Sequence, residues 1–120
     1  MPRHEPYPSV TPRIVAEDAS GVVQFLRAVF GAEGELPEGR PAELVIGDSM
    51  VMVAPATARD AFPAFLYVYV DDADETYRRA VAAGADTVET PRDTPYGDRR
   101  AMVRDPSGNL FQIAHRLASR

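Results

Sequence analysis

One order of segments runs through the chain twice, and it limits the possible folds more than any other feature. In the first half, Val10–Ala16 reads as a strand, with Pro12 marking a strand start or an edge. Asp18 then stands as a helix N-cap, and Val22, Val23, Phe25, Leu26, Val29 and Phe30 recur at helical spacing up to Gly31. Three short extended stretches follow: Glu33–Leu36, Ala42–Ile46 and Met50–Val53. The last two flank the tight turn Gly47-Asp48-Ser49. The second half repeats the order. FLYVYV at Phe65–Val70 is a strand, and Asp72 caps a helix that Gly84 ends. Asp86–Thr90, Arg99–Arg104 and Leu110–His115 are strands, the last two joined by Asp105-Pro106-Ser107-Gly108-Asn109. The caps lie at matching intervals, 13 residues from Asp18 to Gly31 and 12 from Asp72 to Gly84. Each glycine is followed by alanine and an acid, Ala32-Glu33 and Ala85-Asp86.

The expected fold class is therefore α+β, with two βαβββ modules forming a curved mixed sheet around a cleft. The modules are expected at residues 10–54 and 64–116, inside a single domain at 10–120 preceded by an N-terminal extension at 1–9. A chain of 120 residues is long enough to build such a core.

Composition excludes several function classes. There is no cysteine, which removes disulfides, thiolate metal sites and cysteine nucleophiles. All 13 basic residues are arginine, so no lysine is available for a Schiff base. A net charge of −5 argues against broad binding to nucleic acid or to anionic membranes. No apolar run approaches the roughly 20 residues that span a bilayer. The opening MPRHEPYPSV lacks the apolar stretch of a secretory signal, and a cytoplasmic location is expected. Two histidines without a nucleophile elbow give no Ser/His/Asp arrangement, and no glycine-rich phosphate loop is present.

Four stretches carry a family resemblance: VVQFLRAVFGAE, ELVIGDSMVMVA, YVYVDDADETYRRAVAAGAD and YGDRRAMVRDPSGNLFQIA. Together they resemble the glyoxalase/bleomycin-resistance/extradiol dioxygenase superfamily, also called vicinal oxygen chelate proteins. The resemblance implies a glyoxalase-like fold with a ligand cleft between modules, and a homodimer. It spans enzymes (isomerases, lyases, dioxygenases, epimerases, thiol transferases) and proteins that only sequester drugs, so the fold alone does not choose among them.

The enzymes of that superfamily hold a divalent metal through His, Gln or Glu side chains on the first and last strand of each module. Counting from the caps and turns places these positions at Thr11, Val51, Phe65 and Gln112. Only Gln112 could coordinate a metal, and one neutral amide does not hold a divalent ion against water. Glu43, mid-strand among apolar residues, is the remaining weak candidate for a base or a ligand. In a branch of the family a histidine often precedes the Ala-Glu-Leu at 42–44, and here Pro41 stands in its place. His4 lies in the proline-rich start, and alternation puts His115 on the face opposite Gln112, so both read as surface or helix-packed residues.

The expected cleft face carries Thr11, Arg13 and Val15, then Val51 and Val53, then Phe65, Tyr67 and Tyr69, and last Leu110, Gln112 and Ala114. Ile14, Met50, Met52, Leu66, Val68, Phe111 and Ile113 are expected beneath the helices. Phe65, Tyr67 and Tyr69 would stack on a planar ligand, Arg13 would pair with an anionic or aromatic group, and Gln112 would exchange a hydrogen bond. Tyr96, Asp98, Arg99 and Arg100 read as a polar gate or as a surface network, either an Asp98–Arg99 pair or another set of Asp–Arg pairs. The expected function is metal-free binding of a small molecule, an antibiotic or another aromatic metabolite. The alternative is a metal-dependent lyase, isomerase or dioxygenase.

Overall fold

The computed structural model describes residues 8–57 and 59–118. His4 and most of the expected N-terminal extension lie outside them. The elements run β1 (Arg13–Ala16), α1 (Ala19–Phe30), β2 (Ala42–Ile46), β3 (Ser49–Pro55), β4 (Phe65–Tyr69), α2 (Ala73–Ala82), β5 (Asp86–Asp93), β6 (Asp98–Arg104) and β7 (Leu110–Arg116). Both helices begin where the sequence places a cap. The Asp18 carboxylate accepts from the Gly21 N–H at 3.0 Å, and Asp72 accepts from the Glu75 N–H at 3.2 Å. Gly31 ends α1 in the left-handed conformation, at φ 68°.

The strands form two mixed sheets, β1-β3-β2 and β4-β7-β6-β5. In each, the first strand of the half runs parallel to its last strand, β1 with β3 and β4 with β7. The halves differ in one strand. The stretch expected at Glu33–Leu36 contributes only a bridge between Glu33 and Val45, with N···O distances of 3.0 and 2.9 Å. Gly34, at φ 139°, explains why it stops there. A Cβ at this position would lie 2.5 Å from the Glu43 carbonyl oxygen, so the chain passes too close for a regular ladder. β1 is shorter than Val10–Ala16 because Pro12 has no N–H to donate, although its carbonyl accepts from the Met52 N–H at 2.8 Å.

The strands thus split into two mixed sheets within the expected α+β class, and Val15 of β1 bridges Phe62 in the segment that links the halves. The core lies under the helices. Ile14, Leu44, Val53, Val103, Phe111 and Ile113 are fully buried there. Phe111 of β7 packs against Phe25 and Phe30 of α1, with ring centroids 5.6 and 5.5 Å apart. The helix of the first half thus covers part of the sheet of the second.

Strand parity in β3 is the reverse of the sequence expectation. Val51 pairs with Leu44 and Val53 with Ala42, and all four are buried beneath the helices. Met50 and Met52 alternate onto the other face, where Met52 pairs with Arg13 and Glu43. The turn uses only Gly47 and Asp48, with Ser49 already paired to Ile46, which shifts the count by one.

The Asp105–Asn109 turn is a buried polar knot. The Asp105 carboxylate accepts from the Ser107 and Asn109 backbone N–H groups and from the Asn109 amide, at 3.0, 2.8 and 2.9 Å. The Asn109 carbonyl in turn accepts from the Ala64 N–H at 2.8 Å and fixes the entry of β4 beside β7. Asn109→Ala would leave the Asp105 carboxylate and the Ala64 N–H short of partners. The expected cost is about 1–3 kcal/mol, read as a lower denaturation midpoint at unchanged slope.

Candidate functional site

The face of the second sheet that turns away from the helices carries Tyr67 and Tyr69 on β4, Asp98, Arg100 and Met102 on β6, and Gln112 on β7. Register brings them together: Tyr67 pairs with Gln112, and Gln112 with Met102. Asp98 is the organising group. Its side chain has no exposed surface, and both carboxylate oxygens are engaged. The Tyr67 hydroxyl donates to Oδ2 at 2.6 Å and the Tyr69 hydroxyl to the same oxygen at 2.8 Å. Arg116 Nη1 donates to Oδ1 at 2.8 Å. A tight turn over Thr94–Asp98, with Gly97 at φ 95°, delivers the aspartate, and its N–H donates to Thr94 Oγ1 at 2.9 Å.

An ionised carboxylate can only accept, so the protons of both tyrosines are committed to it. The Tyr96 and Tyr67 hydroxyl oxygens are 3.2 Å apart. With the Tyr67 proton taken by Asp98, Tyr96 is the donor in that pair. Arg100 Nη1 donates to the Tyr96 oxygen at 3.3 Å, and its other amino group forms an ion pair with Glu89. The hydrogen bonds therefore all run one way, from Arg100 through Tyr96 and Tyr67 to Asp98.

The ionisation constants follow this direction. Hydrogen bonding from Tyr67, assisted by Tyr69 and Arg116, holds the Asp98 carboxyl below the ordinary aspartate range despite burial. Burial, together with the Asp98 hydrogen bond and charge, pushes the Tyr67 hydroxyl well above an ordinary tyrosine. Tyr69 is raised as well, chiefly by its bond to Asp98.

The expected pairing of Asp98 with Arg99 does not occur. Adjacent strand residues point to opposite faces. Arg99 goes to the helix side, where it bonds Asp74 at 3.0 Å and Asp93 at 3.2 Å. His115 lies on that side too, and its Nδ1 accepts from the Ala73 N–H at 2.8 Å at the start of α2.

The remaining expected ligand contacts are spread over two places. Tyr67 and Tyr69 line a cavity of about 860 Å³ at the seam between the halves. Its lining includes Pro8, Val10 and Pro12, residues 66–70 of β4 and its end, and the apolar Leu26, Val29 and Phe111. Arg13, Phe65 and Gln112 are not on this lining. Phe65 is 62% exposed on the same face of β4. The Arg13 guanidinium rests 3.5 Å from the Met52 sulfur, beside exposed Glu43 on the open face of the first sheet.

Of the expected metal-holding positions, Val51 is buried beneath the helices, Phe65 pairs with Leu110 and Gln112 with Tyr67, while Arg13 and Met52 pair on the open face of the first sheet. A guanidinium, a thioether, a phenol already bound to Asp98 and an amide do not fit a hard divalent ion, which needs anionic oxygen or imidazole. Among the described residues, no group of three His, Cys, Asp or Glu side chains is placed to hold one.

The linkage of Asp98 and Tyr67 has a definite sign. A depressed folded pKa at Asp98 contributes stability above the unfolded aspartate value near 4, and this is lost as pH falls through the lower folded value. A raised folded pKa at Tyr67 contributes stability below the unfolded tyrosine value near 10, and this is lost as pH rises through the higher folded value. Asp98→Asn is expected to flatten the acid limb of stability against pH. It should also bring the alkaline titration of Tyr67, followed by tyrosinate absorbance, back toward that of a free tyrosine. An unchanged acid limb and an unchanged tyrosine titration would show that Asp98 is not the acceptor.

Comparison with known proteins agrees with this architecture. A family model described as Glyoxalase/Bleomycin resistance protein/Dioxygenase superfamily matches residues 10–113. TioX from Micromonospora sp. ML1 is 31% identical, with a TM-score of 0.76 over 90% of this chain and 98% of that one. A superfamily enzyme from Burkholderia phytofirmans PsJN shares the fold at 23% identity and a TM-score of 0.77, covering 89% of this chain and 97% of that one. The putative glyoxylase CFP32 of Mycobacterium bovis is 42% identical over 48 residues, which are 40% of this chain and 18% of that protein. With the duplicated module, the parallel first and last strands and the match over nearly its whole length, the chain belongs to the glyoxalase/bleomycin resistance protein/dioxygenase superfamily.

Proposed function

We propose that this protein binds a small, partly aromatic molecule without a metal ion, and that its role is to sequester or carry an antibiotic or another aromatic metabolite. The observation that carries the reading is that only Gln112 of the expected metal-holding positions Thr11, Val51, Phe65 and Gln112 could donate to a metal, in a chain with a cavity of about 860 Å³. That volume lies in the range of roughly 300–1,000 Å³ typical of small-molecule sites. Its lining joins apolar walls to two aromatic rings, Tyr67 and Tyr69, whose centroids are 5.3 Å apart. Rings held in place by hydrogen bonds lose little freedom on binding, which favours affinity.

The test uses 1-naphthylmethanol, a neutral planar probe, together with metal analysis of protein purified without chelators. Binding should raise the unfolding free energy by about 2.7 kcal/mol at a hundredfold excess over Kd. Tyr69→Ala, at a largely exposed position, should weaken binding by about tenfold, the equivalent of one lost aromatic contact near 1.4 kcal/mol. Stoichiometric manganese, iron, nickel or zinc that survives dialysis would overturn the metal-free reading in favour of a metal-dependent lyase, isomerase or dioxygenase.

A further inference from the structure

We infer that the seam cavity selects a cationic, hydrogen-bond-donating ligand with an aromatic or apolar body, such as an aryl ammonium or an aryl guanidinium. The inference rests on the binding role proposed above and adds the charge class of the ligand.

Three features of the cavity agree on the sign. First, its lining holds four carboxylates, Asp48, Asp71, Asp72 and Glu75, against one base, Arg79. Second, that base is already committed. The Arg79 guanidinium donates to the Val29 carbonyl at 3.2 Å and to Thr76 Oγ1 at 3.2 Å, and it pairs with Glu75 at 3.6 Å. Asp72 caps α2 and Glu75 is held by Arg78 and Arg79. Asp48 accepts only the Ser49 hydroxyl, at 3.1 Å, among the described residues, and Asp71 forms no ion pair among them. Two carboxylates at the cavity are thus left without a cation.

Third, the tyrosines that line the cavity have given their protons to Asp98. Their hydroxyls are therefore not free to donate to a ligand. An anionic ligand would meet acceptors and carboxylates on every polar side. An ammonium or guanidinium would meet the same groups favourably. The apolar lining, with Leu26, Val29, Phe30 and Phe111, suits the uncharged remainder of such a molecule. The net charge of −5 adds a weak attraction of the same sign.

Three probes of one shape separate the possibilities: 1-naphthylmethylamine as its ammonium, neutral 1-naphthylmethanol, and 1-naphthoate. Isothermal titration at low salt should show the ammonium binding at least about tenfold more tightly than the naphthoate, a gap that narrows as added salt screens the partly exposed carboxylates. The double variant Asp48→Asn, Asp71→Asn should reduce that gap severalfold and leave the affinity for naphthylmethanol unchanged. Naphthoate binding as well as or better than the ammonium would overturn the inference and leave the binding role standing. A preference for the ammonium that the double variant does not alter would also overturn it. Failure of all three probes to bind at millimolar concentration would remove the binding role and this inference together.

Discussion

The contact of Phe111 with Phe25 and Phe30 is what makes one molecule of two half-structures. The sheets themselves barely meet. Among the described residues no strand of one sheet pairs with a strand of the other, so the halves are held mainly by side chains beneath the sheets. Burial of a phenylalanine contributes roughly 1.5–3 kcal/mol, and offset rings add to this. Such packing is strong but does not require strands to touch. The seam above can therefore stay open while the core below remains closed. Pro8 and Pro12, which line the cavity, have no N–H to offer a neighbouring strand. The cavity is a consequence of where hydrogen bonding between the halves fails.

Asp98 solves a different problem in the same region. A buried carboxylate is costly unless its oxygens are satisfied, and here they receive two hydroxyl protons and a guanidinium proton. The donors come from two strands, Tyr67 and Tyr69 from β4 and Arg116 from the end of β7. The aspartate thus locks the outer strand of the second sheet to its middle strands from above, while the Asp105–Asn109 knot anchors the start of that strand from its other end. The rings are held by the same bonds that satisfy the charge, so the stability of the sheet and the stiffness of the ligand face have one cause.

Much of this was readable in the residues. The two helix caps, the glycine stops and the DPSGN turn each rest on local chemistry, and each stands where the sequence placed it. The seclusion of His115 from the open face followed from alternation alone. The face of β3 was not readable, because Met50, Val51, Met52 and Val53 are all apolar and no polar residue marks the outside. A two-residue turn in place of a three-residue one then reversed every side chain. The role of Asp98 was hidden for another reason. Its partners lie 31, 29 and 18 positions away, and only the register of β4, β7 and β6 brings them near. Even so, alternation argues against a bond between Asp98 and Arg99, since strand neighbours face opposite ways.

The two halves are alike in topology and unlike in chemistry, and the difference has a direction. Arg13 and Met52 occupy in the first half the places that Tyr67 and Gln112 occupy in the second. A metal bound symmetrically between modules needs similar donors from both. A site that binds by ring faces and hydrogen bonds does not, and can be concentrated in one half. Here the second half carries the hydrogen-bonded aromatic pair and the buried carboxylate, whereas the first supplies an exposed cation beside a thioether and part of the apolar lining of the seam. Duplication therefore explains the frame, and the divergence of the two paired positions explains why the recognition chemistry gathers on β4, β6 and β7.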